Sequence, residues 1–468
     1  MYKINNPSIN HIIIASLLIL GIILGAYVGF VGFSPLMAAM IVAIFFMIIT
    51  LIRPCIAIYT YFLFIPLETL FVAEGSFTST LTKLLGAYLV FILVISGSLK
   101  YVHEVLKKKK AILIVGYGLV CIISIYFSKD SSHSIKFLLR LWLLIISYFT
   151  LIMMIRNIRT LNYALFALVA GTVLSVLSPI FSGYGDIEER FRGLWGDPNE
   201  FAGMLLVLIP FCIAIIFTTE KKNLKIIFSV CTAVLFAGFL LTYSRSGFIA
   251  FCVMCVVTIF KFIRGKNRLR ILGVLVPCLI IGFIVIYYTI GDDIVSRLET
   301  LRILESRESV RTERSLNLRY YYYFELFPKL FVEHPLMGVG FRGFVLNNPI
   351  YKQISHNTFI EVLIGTGLLG FVPFVTILIL TWKELRTARC ISRINNDNHY
   401  LFAYSNALEL GYISFLTVGL FYSLDINRIL WLIITLSTVL INIQEIQRTH
   451  PTIIANSIRH KTYFNKQI

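Results

Sequence analysis

Apolar runs of membrane-spanning length recur along the whole chain of 468 residues, and they constrain the fold more than any other feature. A helix needs about 20 apolar residues to cross the hydrocarbon core of a bilayer. Charged residues make up 14% of the chain, whereas about a quarter is typical of soluble domains. A soluble protein would have to hide nearly all of these runs from water. The sequence therefore predicts an all-α polytopic membrane protein.

Hydropathy divides the chain into about fourteen predicted spans separated by short connectors. The spans cover residues 11–30, 35–52, 55–73, 81–99, 111–127, 135–155, 161–181, 200–218, 224–241, 247–263, 271–290, 357–380, 401–420 and 427–443. Lys and Arg concentrate in every second connector and in the C-terminal tail, and the positive-inside rule places these segments, with both termini, in the cytoplasm. We expect the net charge of +18 to set this orientation rather than to bind nucleic acid.

One long polar segment, about 291–355, interrupts the spans and is predicted to lie outside the cytoplasmic membrane. Polar loops of this length are usually functional. The segment is rich in arginine and ends at a histidine, His356, that enters the next span. Its arginines are Arg297, Arg302, Arg307, Arg311, Arg314, Arg319 and Arg342.

Three short motifs, Arg190–Glu200, Thr242–Gly247 and Ser355–Thr358, enter predicted spans from the same outer side. Each one begins a helix there, so free N–H groups and the positive end of the helix dipole face outward. Helix N-termini combined with arginines bind phosphate and diphosphate groups. The motifs therefore predict an anion site, although arginines anchored at the membrane interface are the alternative interpretation.

Asn199, Ser246 and Asn357 have side chains of the kind that cap helix N-termini. His356 is the natural proton acceptor, because an imidazole can take a proton from a hydroxyl near neutral pH. A histidine that merely hydrogen-bonds at the interface is the other interpretation.

Two further features leave alternatives open. Lys136 and Arg140 share one face of a predicted helix, and they either extend to the membrane surface or add to the anion site. The sequence Gly338–Gly343 matches GxGxxG, but no strand precedes it, so a flexible turn is favoured over a nucleotide site.

Four motifs in order, RFRGLWGDPNEFA, LTYSRSG, HPLMGVGFRGF and SHNTFIEVLIGTGLLGF, resemble the bacterial O-antigen ligase and O-antigen polymerase superfamily. The resemblance extends from about Arg190 to Phe371 and includes the long outer loop. It implies an enzyme that transfers an oligosaccharide from undecaprenyl diphosphate to a hydroxyl acceptor. The reaction would take place on the outer face of the bacterial cytoplasmic membrane. Many members have about twelve spans, so we expect 12–14.

The resemblance also implies roles for individual residues. Arg192, Arg245 and Arg319 would bind the diphosphate, and His356 would be the base. Asn199 and Asn357 would orient neighbouring site residues and cap helix N-termini. A metal-free transfer without a cofactor is implied, with a lipid-linked donor, a glycan or lipid A core as acceptor, and membrane lipids as partners.

The expected organisation is a set of N-terminal spans (1–189), a core that contains the long loop (190–380), and C-terminal spans with a cytoplasmic tail (381–468). The length of the chain and its extra spans slightly favour a polymerase of polysaccharide repeat units over a ligase. A transporter or flippase of lipid-linked sugars and a non-catalytic membrane organiser are the alternatives of other classes. A transporter would be expected to show repeated halves and ionisable residues at the membrane midplane.

Overall fold

The computed structural model describes residues 35–67, 80–182, 191–262, 321–348, 353–394 and 399–449. Throughout these ranges the regular secondary structure is helical and no strand occurs. The prediction of an all-α polytopic membrane protein is confirmed. The predicted spans 11–30 and 271–290 lie outside the described residues.

Fourteen α-helices occupy the described ranges. They are α1 (Pro35–Ile52), α2 (Cys55–Phe64), α3 (Thr80–Ile95), α4 (Val102–Leu106), α5 (Lys109–Ser124), α6 (Ser131–Met154), α7 (Ile158–Ser182), α8 (Pro198–Thr218), α9 (Lys222–Leu241), α10 (Arg245–Phe262), α11 (Phe327–Glu333), α12 (Thr358–Ile394), α13 (His399–Gly419) and α14 (Arg428–Thr449). Within the described ranges, seven helices are long and apolar enough to cross a membrane, or eight if the bent pair Leu81–Ile95 and Ser98–Leu106 forms one span. The figure of 12–14 spans stays a prediction.

The centre of the bundle is formed by α8, which packs on α9, α10 and α13, and by α12, which packs on α5, α13 and α14. Small residues allow the closest of these contacts, as is common between helices in membranes. A Cβ atom on Gly411 of α13 would lie 2.8 Å from the Cα atom of Val207 in α8. Large apolar side chains such as Phe217 and Phe260 are exposed on the outside of the bundle, which suits a surface that meets lipid.

Helix α12 is broken at Gly367, where φ is 60° and ψ is −166°. The freed backbone groups are satisfied by the segment before it. The N–H of Leu368 donates to the carbonyl of Pro335 at 2.9 Å, and the N–H of Val339 donates to the carbonyl of Ile364 at 2.8 Å. Backbone that leaves the helical pattern inside a membrane protein needs partners of this kind. The broken helix and the segment 335–339 are therefore one structural unit.

The sequence Gly338–Gly343 is a tightly packed turn rather than a flexible one. Gly338 and Gly340 both have positive φ, at 69° and 98°. A Cβ atom on Gly338 would lie 2.3 Å from the carbonyl oxygen of Ile364, and one on Gly340 would lie 2.6 Å from the Cα atom of Ser128. Glycine is required here both by the backbone conformation and by the close approach. The turn joins α12 to the α5–α6 connection.

Charged side chains link the long helices far from this turn. Lys110 at the start of α5 pairs with Glu384 of α12, and Arg389 of α12 pairs with Glu409 of α13 at 3.1 Å. Lys110 and Glu409 are almost completely buried. Ionisable groups inside membrane proteins usually pair with each other in this way.

Candidate functional site

The N-termini of α8, α10 and α12 meet at one end of the bundle, which we call the motif end. The segment Leu420–Asn427 between α13 and α14, here the α13–α14 connector, lies among them. It bonds to both α8 and α12. The side chain of Asn427 donates to Glu200 Oε2 at 3.0 Å, and the side chain of Asn357 donates to the carbonyl of Leu420 at 3.0 Å.

The first turn of α8 is capped by Asp197, whose Oδ1 accepts from the backbone N–H groups of Asn199 at 2.7 Å and Glu200 at 3.2 Å. The capping group at this end is therefore Asp197 and not Asn199. Asn199 instead accepts a hydrogen bond from Ser244 Oγ at 2.8 Å. Because Ser244 directly precedes α10, this bond joins the start of α8 to the start of α10.

At α10 the capping group is also two positions before the residue predicted from the sequence. Ser244 Oγ accepts from the backbone N–H of Gly247 at 3.0 Å, whereas Ser246 lies inside the first turn and hydrogen-bonds to Ser244 and Asn199. A hydroxyl that accepts from the third residue on is the usual N-cap geometry. These bonds leave the N-terminus of α10 anchored to α8.

Two of the three arginines assigned to the diphosphate lie at the motif end with exposed side chains. Arg245 is the first residue of α10. Arg192 lies in the turn before α8, and its carbonyl accepts from the N–H of Trp195 at 3.0 Å. Their positions suit an anion that approaches both helix N-termini. Arg319 lies outside the described residues.

Asn357 caps α12, because its Oδ1 accepts from the N–H groups of Phe359 at 2.9 Å and Ile360 at 3.1 Å. The next residue, Thr358, bonds to the connector twice. Its hydroxyl donates to the carbonyl of Tyr422 at 2.7 Å and accepts from the N–H of Leu424 at 2.9 Å. The Thr358 hydroxyl thus fixes the start of α12 to the main chain of the α13–α14 connector.

His356 directly precedes this cap and has a positive φ of 52°. Its ring is half-buried, and the ring centroid lies 5.9 Å from that of Tyr422. Residues other than glycine adopt such a backbone at a cost of about 1–2 kcal/mol. Strained residues of this kind cluster at functional sites, so the observed angle supports a functional hypothesis for His356.

The residue on the other side, Ser355, is completely buried and bound to a carboxylate. Its backbone N–H and its hydroxyl both donate to Glu361 Oε2, at 3.0 Å and 2.8 Å. Glu361 lies one turn into α12 and is 1% exposed. His356 is therefore held between two anchored neighbours, Ser355 and Asn357.

Arg342, from the tightly packed turn, is the buried cation of the motif end. Its Nη2 lies 3.1 Å from Asp425 Oδ1, and its Nη1 lies 3.8 Å from Glu361 Oε1. Its guanidinium carbon lies 5.5 Å from the centroid of the Phe137 ring. Arg342 itself has a φ of 59°. One guanidinium thus connects a carboxylate of α12 to a carboxylate of the α13–α14 connector.

Burial and neighbouring charges shift the pKa values of Asp425 and Arg342 in opposite directions. Burial raises the pKa of Asp425 to about 6, although the positive charge of Arg342 lowers it. Burial disfavours the charged form of Arg342, but Asp425 and Glu361 outweigh that effect and raise its pKa. A carboxyl group without its usual hydration keeps its proton more tightly. Arg342 therefore stays positively charged beside Asp425.

Arg140 belongs to the same group of charges. Its positive charge lowers the pKa of both Asp425 and Tyr422, so it lies near them. The pKa of Tyr422 is raised above its ordinary range, mainly by burial and further by the carboxylate of Glu200. Arg140 is half-buried, whereas Lys136 on the same helix is exposed. Of the two residues predicted to share a helix face, Arg140 thus lies near the charges of the motif end, and Lys136 is exposed.

The sequence did not predict Glu200, Glu361 or Asp425 as site residues. Glu200 Oε2 accepts from the indole N–H of Trp195 at 2.9 Å as well as from Asn427. Each of these acids lies within a few residues of the end of an apolar run, where a charge is costly unless it is paired or functional. Their position at the ends of apolar runs was the sequence signal that could have identified them. Over the described ranges, no group of three or more His, Cys, Asp or Glu side chains could hold a metal ion.

A comparison with known protein families matches the part of the chain that includes the starts of α10 and α12. Residues 230–375 match the family model described as O-antigen ligase. The resemblance to the O-antigen ligase and polymerase superfamily is confirmed. The matched segment contains Arg245, Arg342, His356 and Glu361, while Arg192, Asn199 and Asp425 lie outside it. No curated protein matches the chain.

Proposed function

We propose that the chain is a membrane glycosyltransferase that moves an oligosaccharide from undecaprenyl diphosphate to a hydroxyl acceptor. It would work on the outer face of the bacterial cytoplasmic membrane. The family match of residues 230–375 supports this type of enzyme broadly. The observation that carries the proposal is the strained, doubly anchored His356, at the end of the bundle where Arg192 and Arg245 lie at helix N-termini.

In this proposal Arg192, Arg245 and Arg319 bind the diphosphate. Guanidinium groups form paired hydrogen bonds with phosphate oxygens, and the N–H groups of α8 and α10 add positive potential. The same groups would stabilise the charge that develops on the leaving diphosphate. No metal ion or cofactor is needed in this scheme, because the arginines neutralise the leaving group.

His356 would be the general base. The acceptor oxygen attacks the anomeric carbon of the donor sugar, and the bond from that carbon to the phosphate oxygen breaks. The proton of the acceptor hydroxyl passes to His356, and the lipid leaves with its diphosphate. Base catalysis of this kind contributes about 10²–10⁴ to a rate. Asn357 orients His356 by capping α12, and Asn199 orients Arg245 through Ser244.

We favour a polymerase that extends polysaccharide repeat units, with a growing glycan as the acceptor. A ligase that uses lipid A core is the alternative within the same chemistry. The division of the chain into 1–189, 190–380 and 381–468 also stays a proposal. The motif end draws residues from each part, since Arg140, Arg342 and Asp425 influence one another there.

The test is glycan transfer in proteoliposomes that hold undecaprenyl-diphosphate-linked repeat units. Wild type is compared with His356→Ala and Arg245→Ala. His334→Ala is the matched control, because His334 is an exposed histidine at the end of α11. A ladder of lengthened lipid-linked glycan that both variants lose and the control keeps would support a polymerase.

Other outcomes are equally informative. Transfer to added lipid A core without a ladder would establish a ligase that uses the same residues. Equal transfer by wild type and His356→Ala, with a donor that wild type accepts, would overturn the role of His356 as base. A measurement of lipid-linked glycan translocation in the same vesicles would then test the transporter hypothesis.

A further inference from the structure

The backbone at His356 is held from the inside of the protein by Glu361. Glu361 Oε2 accepts both the N–H and the hydroxyl of Ser355, and the Ser355 hydroxyl also lies 2.9 Å from the carbonyl oxygen of Asn357. These bonds fix the residues on either side of His356. A φ of 52° is unfavourable for histidine, so the surrounding bonds must maintain it.

Arg342 holds this carboxylate in place. Within the described part of the chain, Glu361 Oε1 has no hydrogen-bond partner, and Arg342 Nη1 at 3.8 Å is its ionic contact. Arg342 is fixed in turn by Asp425 at 3.1 Å. The contacts therefore run from the α13–α14 connector through Arg342 and Glu361 to the backbone of His356.

We propose that Glu361 is a positioning residue, which holds the imidazole of His356 in line with the acceptor hydroxyl and is itself held by Arg342. This inference rests on the proposed function of His356. Without the two bonds from Ser355, His356 can relax to a negative φ. The change in φ redirects the Cβ bond of His356 and so displaces its ring. A displacement of about 1 Å at a catalytic group can cost about 100-fold in rate.

The proposal predicts a specific pattern in kcat and KM. Glu361→Ala should lower kcat about 10- to 100-fold, the range set by the loss of a well-positioned base. The KM for the lipid-linked donor should change by less than about twofold, because Arg192 and Arg245 are untouched. Glu361→Gln keeps an oxygen that accepts from Ser355 but loses the charge that pairs with Arg342. Its kcat should fall between those of wild type and Glu361→Ala.

A double variant separates positioning from a general structural effect. If Glu361 acts through His356, the variant with both Glu361→Ala and His356→Ala should be no slower than His356→Ala alone. If Glu361 only stabilises the fold, its effect should persist in the His356→Ala background. Residues that act as one unit show this kind of non-additivity. Rates are expressed per donor-binding site, so that a loss of folded protein does not lower the measured kcat.

Glu384→Gln is the matched control, because Glu384 is another ion-paired glutamate of α12, distant from the motif end. Below its melting temperature it should keep the wild-type kcat. Wild-type kcat in Glu361→Ala, with His356→Ala inactive and still able to bind donor, would overturn the positioning role and leave the proposed function standing. Full activity in His356→Ala would overturn both. A kcat loss of equal size in Glu384→Gln would also overturn the positioning role.

Discussion

The buried ion pair between Lys110 and Glu384 allows a sharp prediction about stability. The Lys110 side chain is 2% exposed and the Glu384 side chain 21% exposed. Lys110 Nζ also donates to the carbonyl of Ile434 at 2.9 Å and to Ser437 Oγ at 2.7 Å. Removing one partner of a buried pair leaves the other charge uncompensated, at a typical cost of about 3–5 kcal/mol. We expect Glu384→Gln to lower the free energy of unfolding by an amount in that range.

A second lysine of the same short segment provides the control. Lys108 pairs with Glu445 at 3.0 Å, but the Glu445 side chain is 57% exposed. Pairs in contact with water contribute no more than about 1 kcal/mol. Glu445→Gln should therefore leave stability nearly unchanged. Unfolding of each purified variant is followed in mixed micelles of a mild detergent with increasing SDS.

Replacing both partners should largely restore stability. In the variant with Lys110→Met and Glu384→Leu no unpaired charge remains, and two apolar side chains of similar size fill the space. The hydroxyls of Ser437 and Thr438 keep an acceptor, because both also bond to the carbonyl of Ile434 in their own helix. Equal losses in Glu384→Gln and Glu445→Gln would refute the reasoning. So would a double variant that is less stable than either single change.

Three further predictions concern the motif end. Burial raises the pKa of Asp425 from an ordinary 3.8 to about 6, so the folded state binds this proton more tightly than the unfolded state. The stability that results is present below about pH 4 and is lost as pH rises through about 6, a difference of about 3 kcal/mol. Thermal unfolding followed against pH should show a smaller difference in Asp425→Asn. Gly367→Ala should lower the melting temperature by several degrees, because its Cβ atom would lie 2.2 Å from the carbonyl oxygen of Leu336, whereas Gly116→Ala, with open space around it, should not. In the same unfolding measurement, Asn357→Ala should lower the free energy of unfolding by about 1 kcal/mol, because the cap of α12 is lost. Asn357→Asp keeps a capping oxygen and should retain most of that stability.

Hydropathy located several helices closely, but the helix in the predicted span 55–73 ends at Phe64, and the one in 357–380 continues to Ile394. The predicted spans 135–155 and 200–218 correspond to α6 and α8 within a few residues. The break of α12 was not anticipated. Gly367 lies among apolar residues and its neighbour in space, Leu336, is distant in sequence, so hydropathy alone carries no sign of the contact.

The candidate site was predicted in part. The motifs that begin α8, α10 and α12 do converge, as their order and orientation indicated. The capping residues were misplaced by two positions at α8 and α10, since Asp197 and Ser244 are as suitable as Asn199 and Ser246 by residue type. Composition cannot choose between neighbouring caps, because the choice depends on where the first helical turn begins.

The buried acids were harder to find. Glu361 and Asp425 are 64 positions apart and become partners only through Arg342. A sequence shows three isolated charges near three different span ends, each of which has an ordinary interfacial explanation. The α13–α14 connector carries no motif that the resemblance covers. Its role follows from bonds between its main chain and the Thr358 hydroxyl, so the residue types of the connector give no sign of them.

The α13–α14 connector also has a consequence for the order in which the protein is made. Arg342 leaves the ribosome long before its partner Asp425, and His356 long before Tyr422, because chains are synthesised from the N-terminus. Until α14 has entered the membrane, the carboxylate that fixes Arg342 is missing from the motif end. The nascent chain can therefore insert helices α1 to α12 while the segment around His356 still lacks its bonds to the connector. If His356 is the base, as proposed, it gains these contacts only after the α13–α14 connector has been made.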